Sequence, residues 1–171
     1  MADKYQALVS GKTKLKEATT TSTGATEAGD IVALDASGKL DASLLPVGVG
    51  PDVKLVEASE AISAGDYVNL FDDAGTVKVR LADNSNGREA HGWVKAAFAP
   101  TETATVYFEG PNEDVASGTA GQRAYLGETG AVLTSPLDSD LPANVGKIHQ
   151  YLGTYIDTNS INTDIADCIE L

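Results

Sequence analysis

Between residues 61 and 110 apolar and polar side chains alternate at the period of an extended strand, and no stretch there carries a helical period. Tyr67-Val-Asn-Leu-Phe71 and Val77-Lys-Val-Arg-Leu81 flank Asp72-Asp-Ala-Gly75, whose glycine can take positive φ, so they read as a hairpin with one dry and one wet face. After the polar loop Asp83-Asn-Ser-Asn-Gly87, extended structure resumes over Ala90 to Phe98, breaks at Pro100, and returns as Thr103 to Phe108. Lys54 to Ala58 reads as a strand upstream. Downstream, Pro111-Asn-Glu-Asp reads as a polar linker, Ala120 to Leu126 and Ala131 to Thr134 as a second hairpin, and Pro136 to Pro142 as an acidic loop. Val145 to Ile156 is long enough for one strand across the whole domain, with Gly153 a bend or bulge. Asp157-Thr-Asn-Ser turns the chain into a last strand, Asp164 to Leu171. The pattern predicts an all-β fold: a small antiparallel β-barrel or sandwich built from hairpins.

Residues 1 to about 28 show no apolar period and are rich in Lys, Thr, Ala and Gly. They read as an extended or disordered arm that orders only against something else. Asp41 is placed to cap a single helical turn stopped by Pro46, and Val47-Gly-Val-Gly-Pro51 reads as a flexible joint. The expected organisation is therefore an arm and connector over residues 1–50 and a β body over 51–171. One pattern recurs at Ala28-Gly-Asp, Ala64-Gly-Asp and Ala120-Gly-Gln: Ala-Gly-polar, an alternating run, an acidic turn, Gly, then an apolar residue. Either these are three copies of one Gly-initiated hairpin entry, or they are the ordinary turn chemistry of β proteins. Their irregular spacing excludes a solenoid or propeller.

Charge narrows the partners. The formal net charge is −13, and residues 51–171 hold 19 acidic against 7 basic side chains. Such a body repels phosphates and anionic lipid, which points to protein partners and away from nucleic acid and membrane. Lys4, Lys12, Lys14 and Lys16 make the start of the chain basic by contrast. A single cysteine, Cys168, allows no intrachain disulfide. No apolar run is long enough to span a bilayer, and Met1-Ala-Asp-Lys-Tyr5 lacks the core of a signal peptide, so synthesis in a cytosol is expected.

The candidate chemical motifs are weak. Gly11-Lys12-Thr13 has the end of a phosphate loop, but Gln6 stands where its first glycine belongs. Asp83-Asn-Ser-Asn-Gly87 and the run from Asp157 to Asp164 carry oxygen ligands at alternate positions, without the Gly and Glu offsets of a Ca²⁺ loop. His91 and His149 stand alone, no serine sits in a Gly-x-Ser-x-Gly elbow, and the pairs Asp72 with Asp73 and Asp138 with Asp140 read as solvated loop charge. No enzyme activity, cofactor or metal is expected. Trp93 is expected in the core or a subunit interface.

Ile31 to Gly50 resembles the connector of tailed-bacteriophage structural proteins. The body resembles the small β domains of phage head decoration, or cement, proteins. It does so through Gly65-Asp-Tyr-Val-Asn-Leu, Ala90-His-Gly-Trp-Val, Ala104-Thr-Val-Tyr-Phe-Glu-Gly110, Gly121-Gln-Arg-Ala-Tyr-Leu and Val145-Gly-Lys. The resemblance implies a homotrimer on the outside of an icosahedral head, made in the host bacterial cytoplasm, which bridges major capsid subunits and stabilises the shell. On that reading Lys4, Lys12, Lys14 and Lys16 form the capsid-contact arm, and Trp93, Tyr151, Tyr155, Ile165 and Ile169 the subunit interface. The alternatives are a receptor- or glycan-binding module of a head or tail fibre, marked by an exposed aromatic platform near Tyr107, Tyr151 or Tyr155, and a tail or baseplate subunit.

Overall fold

A computed structural model describes residues 4–22, 25–45, 52–115 and 118–171. The expected joint at Val47–Pro51 and the stop at Pro46 lie outside the described residues. By its contacts the chain divides into two compact units, Met1–Gly50 and Pro51–Leu171. The first unit contains β1 (Lys4–Val9), β2 (Lys12–Glu17) and single 3-10 turns at Ala25–Glu27 and Ala42–Leu44. The second contains β3 (Val53–Ala58), β4 (Tyr67–Asp73), β5 (Thr76–Leu81), β6 (Gly92–Val94), β7 (Thr103–Tyr107), β8 (Gly110–Asn112), β9 (Arg123–Leu126), β10 (Val132–Leu133), β11 (Ile148–His149), β12 (Tyr151–Tyr155), β13 (Ile161–Thr163) and β14 (Ile169–Glu170), with a 3-10 turn at Pro142–Asn144.

In the second unit β3, β5, β4, β6 and β7 close a five-stranded barrel, and β10, β9, β12, β13 and β8 form an antiparallel sheet. The barrel is filled by Val56, Ala58, Ile62, Val68, Val79, Val94, Ala104 and Val106, and these small side chains suit so narrow a lumen. A second core holds Tyr67, Trp93, Leu126, Leu152, Tyr155 and Ile161, joining barrel strands to sheet strands. The expected wet face of the first hairpin is therefore dry at one end. Tyr67-Val-Asn69 and Gly92-Trp-Val94 are buried on both faces, because alternate side chains enter two different cores. Burial raises the Tyr67 phenol to about 12, and its hydroxyl meets Thr163 Oγ1 at 3.2 Å across the two layers.

Three expectations need correction. Residues 4–17 are a hairpin: Ser10 and Gly11, at φ 52° and 76°, make the two-residue turn that suits right-handed strand twist. Val145 to Ile156 is broken into β11 and β12 by Gln150, which is buried, although Gly153 does carry a bulge against β9. The expected last strand shrinks to Ile169–Glu170, while Ile161–Thr163 and the supposed linker at Gly110–Asn112 pair as β13 and β8. Pro111 concealed β8, and it is tolerated because β8 is an edge strand.

The recurring Ala-Gly pattern has one backbone geometry in all three copies. Asp30, Asp66 and Gln122 each donate their backbone N–H to the carbonyl three residues earlier, at Glu27, Ser63 and Thr119. Gly29, Gly65 and Gly121 between them lie at φ 88°, 85° and 83°, as the third residue of a type II turn must. The second and third copies also meet in space: Tyr67 N–H donates to the Gly130 carbonyl at 3.0 Å, and Gly130 N–H to that of Ala82 at 2.6 Å.

Candidate functional site

The hairpin register sorts its side chains onto two faces. Tyr5, Ala7 and Val9 lie opposite Lys16, Lys14 and Lys12 on one face; Lys4, Gln6 and Leu8 lie opposite Glu17, Leu15 and Thr13 on the other. Lys16 pairs with the Asp30 carboxylate, whose hydrogen bond raises the ammonium pKa, and the Tyr5 hydroxyl accepts the Ile31 N–H at 3.4 Å. Lys4 pairs with Glu17 at 3.4 Å. The four expected contact lysines are thus split, since Lys12 and Lys14 are exposed and make no ion pair among the described residues. Leu8 and Leu15 are 76% and 69% exposed, and no described residue between 4 and 45 is buried. Asp41 takes the Ser43 N–H at 2.9 Å at the start of the Ala42–Leu44 turn, as its position predicted.

The expected interface residues fall in different surroundings. Trp93 is 2% exposed, stacked on Tyr107 at 4.9 Å between ring centroids, and its Nε1–H points to the Glu109 carbonyl at 3.4 Å. Tyr155 is 1% exposed in the same core. Both are core side chains of the body itself and have no area to offer a neighbour. Tyr151 is half-buried beside Tyr125 and under Arg123, Ile165 packs partly against the core, and Ile169 is exposed on β14. Ala96 and Ala97, between β6 and β7, are exposed.

A cleft of about 500 Å³ opens beside β6 and the segment after β13, lined by Glu89, His91, Glu109, Gln150, Asp164 and Asp167. His91 Nδ1 accepts the Leu70 N–H at 2.9 Å, which places the imidazole proton on Nε2, facing Glu89 Oε1 at 3.2 Å. Cys168 Sγ donates to the other oxygen of Glu89 at 3.3 Å. Burial first, and then the Glu89 carboxylate, raise the thiol pKa. The carboxylate stands between thiol and imidazole, and the remaining ring nitrogen is spent on backbone, so His91 does not activate Cys168. These groups fasten the C-terminal segment to β6.

Sequence reasoning missed Gln150. Its Oε1 accepts the Ala90 N–H at 2.7 Å, and its Nε2 donates to the carbonyls of Ala90 at 3.0 Å and Ala166 at 2.9 Å. A glutamine inside an apolar run was the available signal, since a buried amide there needs partners.

The two loops with oxygen ligands are Asx turns. Asp157 accepts the Asn159 N–H at 2.8 Å, and Asp83 accepts the Ser85 N–H at 2.8 Å and hydroxyl at 2.7 Å. Among the described residues no three His, Cys, Asp or Glu side chains are grouped to hold a metal. Burial opposes ionisation of Asp83, but the Ser85 hydroxyl and N–H, the Thr129 N–H and Arg88 outweigh it and hold the carboxyl below its ordinary pKa. A depressed folded-state pKa gives stability that is complete above the unfolded value of about 3.9 and is lost as pH falls through the folded value. Asp83→Ala should accordingly cost about 1–2 kcal/mol at neutral pH, with the deficit closing in that acid window, as measured by urea unfolding at a series of pH values.

No protein-family model matches the chain, and no curated protein matches it. Among solved structures, the N base of head fibre gp8.5 in bacteriophage phi29 is similar at 9% sequence identity and a TM-score of 0.45, covering 67% of this chain and 92% of that one.

Proposed function

We propose that the chain is a virion structural protein of a tailed phage, a head decoration protein that binds the outer shell and bridges major capsid subunits. The observation that carries this reading is the first unit: Lys12 and Lys14 exposed and without an ion pair among the described residues on one face of its hairpin, Leu8 and Leu15 bare on the other, on a unit with no buried side chain among its described residues, joined to a strongly acidic body. A small β unit of that kind lacks a core of its own and gains packing by lying on a larger surface. A partner that binds only the assembled shell stabilises it by its binding free energy, and a homotrimer would multiply the attachment through avidity. Acidic bodies facing outward would keep decorated particles apart. The fibre-module alternative wants an aromatic platform, whereas Tyr155 is buried, Tyr107 stacks on Trp93 and Tyr151 lies under Arg123.

The test is to mix the full-length protein with undecorated heads and follow co-sedimentation and head heat resistance. Uptake in many copies per head with raised heat resistance is expected. Lys12→Glu with Lys14→Glu should weaken uptake about tenfold or more at low salt, with a smaller effect at high salt, as screened charge pairing requires. Heads that neither take up the wild-type protein nor gain resistance would overturn the cement reading.

A further inference from the structure

We propose that Asn86 is a site of spontaneous deamidation, a covalent change that adds a carboxylate to the loop between β5 and β6. Of the asparagines in the chain, Asn86 alone precedes a glycine. Asn86 and Gly87 are both exposed, and the Asn86 side chain makes no hydrogen bond among the described residues. Gly87 lies at φ 74° with nothing within 4 Å of where a Cβ would stand, and its N–H likewise has no acceptor among those residues. The nucleophile is therefore an unengaged backbone amide with no side chain to shield it, next to an unengaged carboxamide. Other asparagines are held: Asn69, Asn84 and Asn112 are buried, with their amides donating to the carbonyls of Glu89, Leu126 and Gly65.

The chemistry needs only water. The Gly87 nitrogen, losing its proton to solvent base, attacks Asn86 Cγ; a C–N bond forms, the Cγ–Nδ2 bond breaks, and Nδ2 departs with a solvent proton as ammonia. Water then opens the cyclic imide. Cleavage at Cγ gives aspartate, and cleavage at the former main-chain carbonyl gives isoaspartate, which carries one extra methylene in the backbone. Either product adds a negative charge beside Arg88, whose Nη1 lies 3.8 Å from Glu60. The isoaspartate also lengthens a loop closed by Asp83 N–H to the Arg88 carbonyl at 2.8 Å and Arg88 N–H to that of Asp83 at 3.1 Å. That loop ties the barrel to the sheet, because the Asn84 N–H donates to Gly127 and the Asn84 carbonyl accepts from Ile148. Ageing at Asn86 would reach the joint between the two layers. The site does not depend on the virion role proposed above.

The full-length folded protein should be incubated at mildly alkaline pH and mapped by peptide mass spectrometry with fragmentation that separates aspartate from isoaspartate. Time-dependent loss of the amide at Asn86, ahead of every other asparagine, is expected, together with an acidic shift on ion exchange. Asn86→Gln should remove both while leaving the thermal midpoint unchanged, since the side chain it replaces makes no hydrogen bond among the described residues. Retention of the Asn86 amide throughout, whether or not the urea-unfolded chain converts, would overturn the proposal, as would equal loss at another asparagine.

Discussion

Gly65→Ala is expected to destabilise the body by about 3 kcal/mol or more, the sum of a left-handed backbone imposed on an L residue and an overpacked contact. Gly65 sits at φ 85°, and a Cβ there would stand 1.9 Å from the Asp114 carbonyl oxygen and 2.6 Å from its carbon. Backbone cannot swing aside as a long side chain can. The approach is fixed from both sides, since Gly65 N–H donates to the Val94 carbonyl at 2.9 Å and its own carbonyl accepts Asn112 Nδ2 at 2.8 Å. Gly75→Ala supplies the control. It has nearly the same φ, 89°, with open space around the Cβ position, so it should cost only about 1 kcal/mol of conformational strain. Chemical unfolding of both variants separates the two effects. Equal losses would mean that the segment around Asp114 yields freely and that the close approach is not a constraint.

Sequence patterning located most barrel strands because their determinants are local. Val77–Leu81 alternates strictly, Lys54–Ala58, Tyr67–Phe71 and Thr103–Phe108 are short β-rich runs that alternate in part, and the Ala74-Gly75 turn is written in two adjacent residues. The Ala-Gly turns were visible for the same reason, although their shared geometry needed the dihedral angles to establish it. What stayed hidden depends on distant partners. β8 contains a proline and becomes a strand only because β13 offers an edge; β13 itself is three residues long, too short to show a period. Trp93 and Tyr155 invited an interface reading because a rare large aromatic suits either a core or a contact, and only the second core between barrel and sheet decides the matter. The lysines of the first unit were legible as charge. The Ser10-Gly11 turn sets a register that pairs Lys4 with Glu17, whereas Lys12, Lys14 and Lys16 share the other face and, among the described residues, Lys16 alone of these three finds a carboxylate, that of Asp30.

Gln150→Leu should be the most damaging near-isosteric change in the body, at about 3 kcal/mol, because it strands buried polar backbone while improving nominal hydrophobicity. Gln150 is 2% exposed, and its carboxamide stands in for a strand neighbour by satisfying both the N–H and the carbonyl of Ala90, which is itself 2% exposed. The same amide nitrogen holds the Ala166 carbonyl and so anchors the C-terminal segment over the cleft. A leucine fills the space but leaves the Ala90 pair without partners. Gln150→Glu tests the polarity of the arrangement: its carboxylate can still accept from Ala90 N–H but would face two carbonyl oxygens, so burial there favours the protonated form. Its deficit should therefore shrink as pH falls, opposite in sign to the acid dependence that Asp83 gives the wild type. Hydrogen exchange at Ala90 and Ala166, measured with unfolding across pH, should show local opening at both sites in the leucine variant. Wild-type protection at Ala90 in that variant would mean that a water replaces the amide and that the clamp is dispensable.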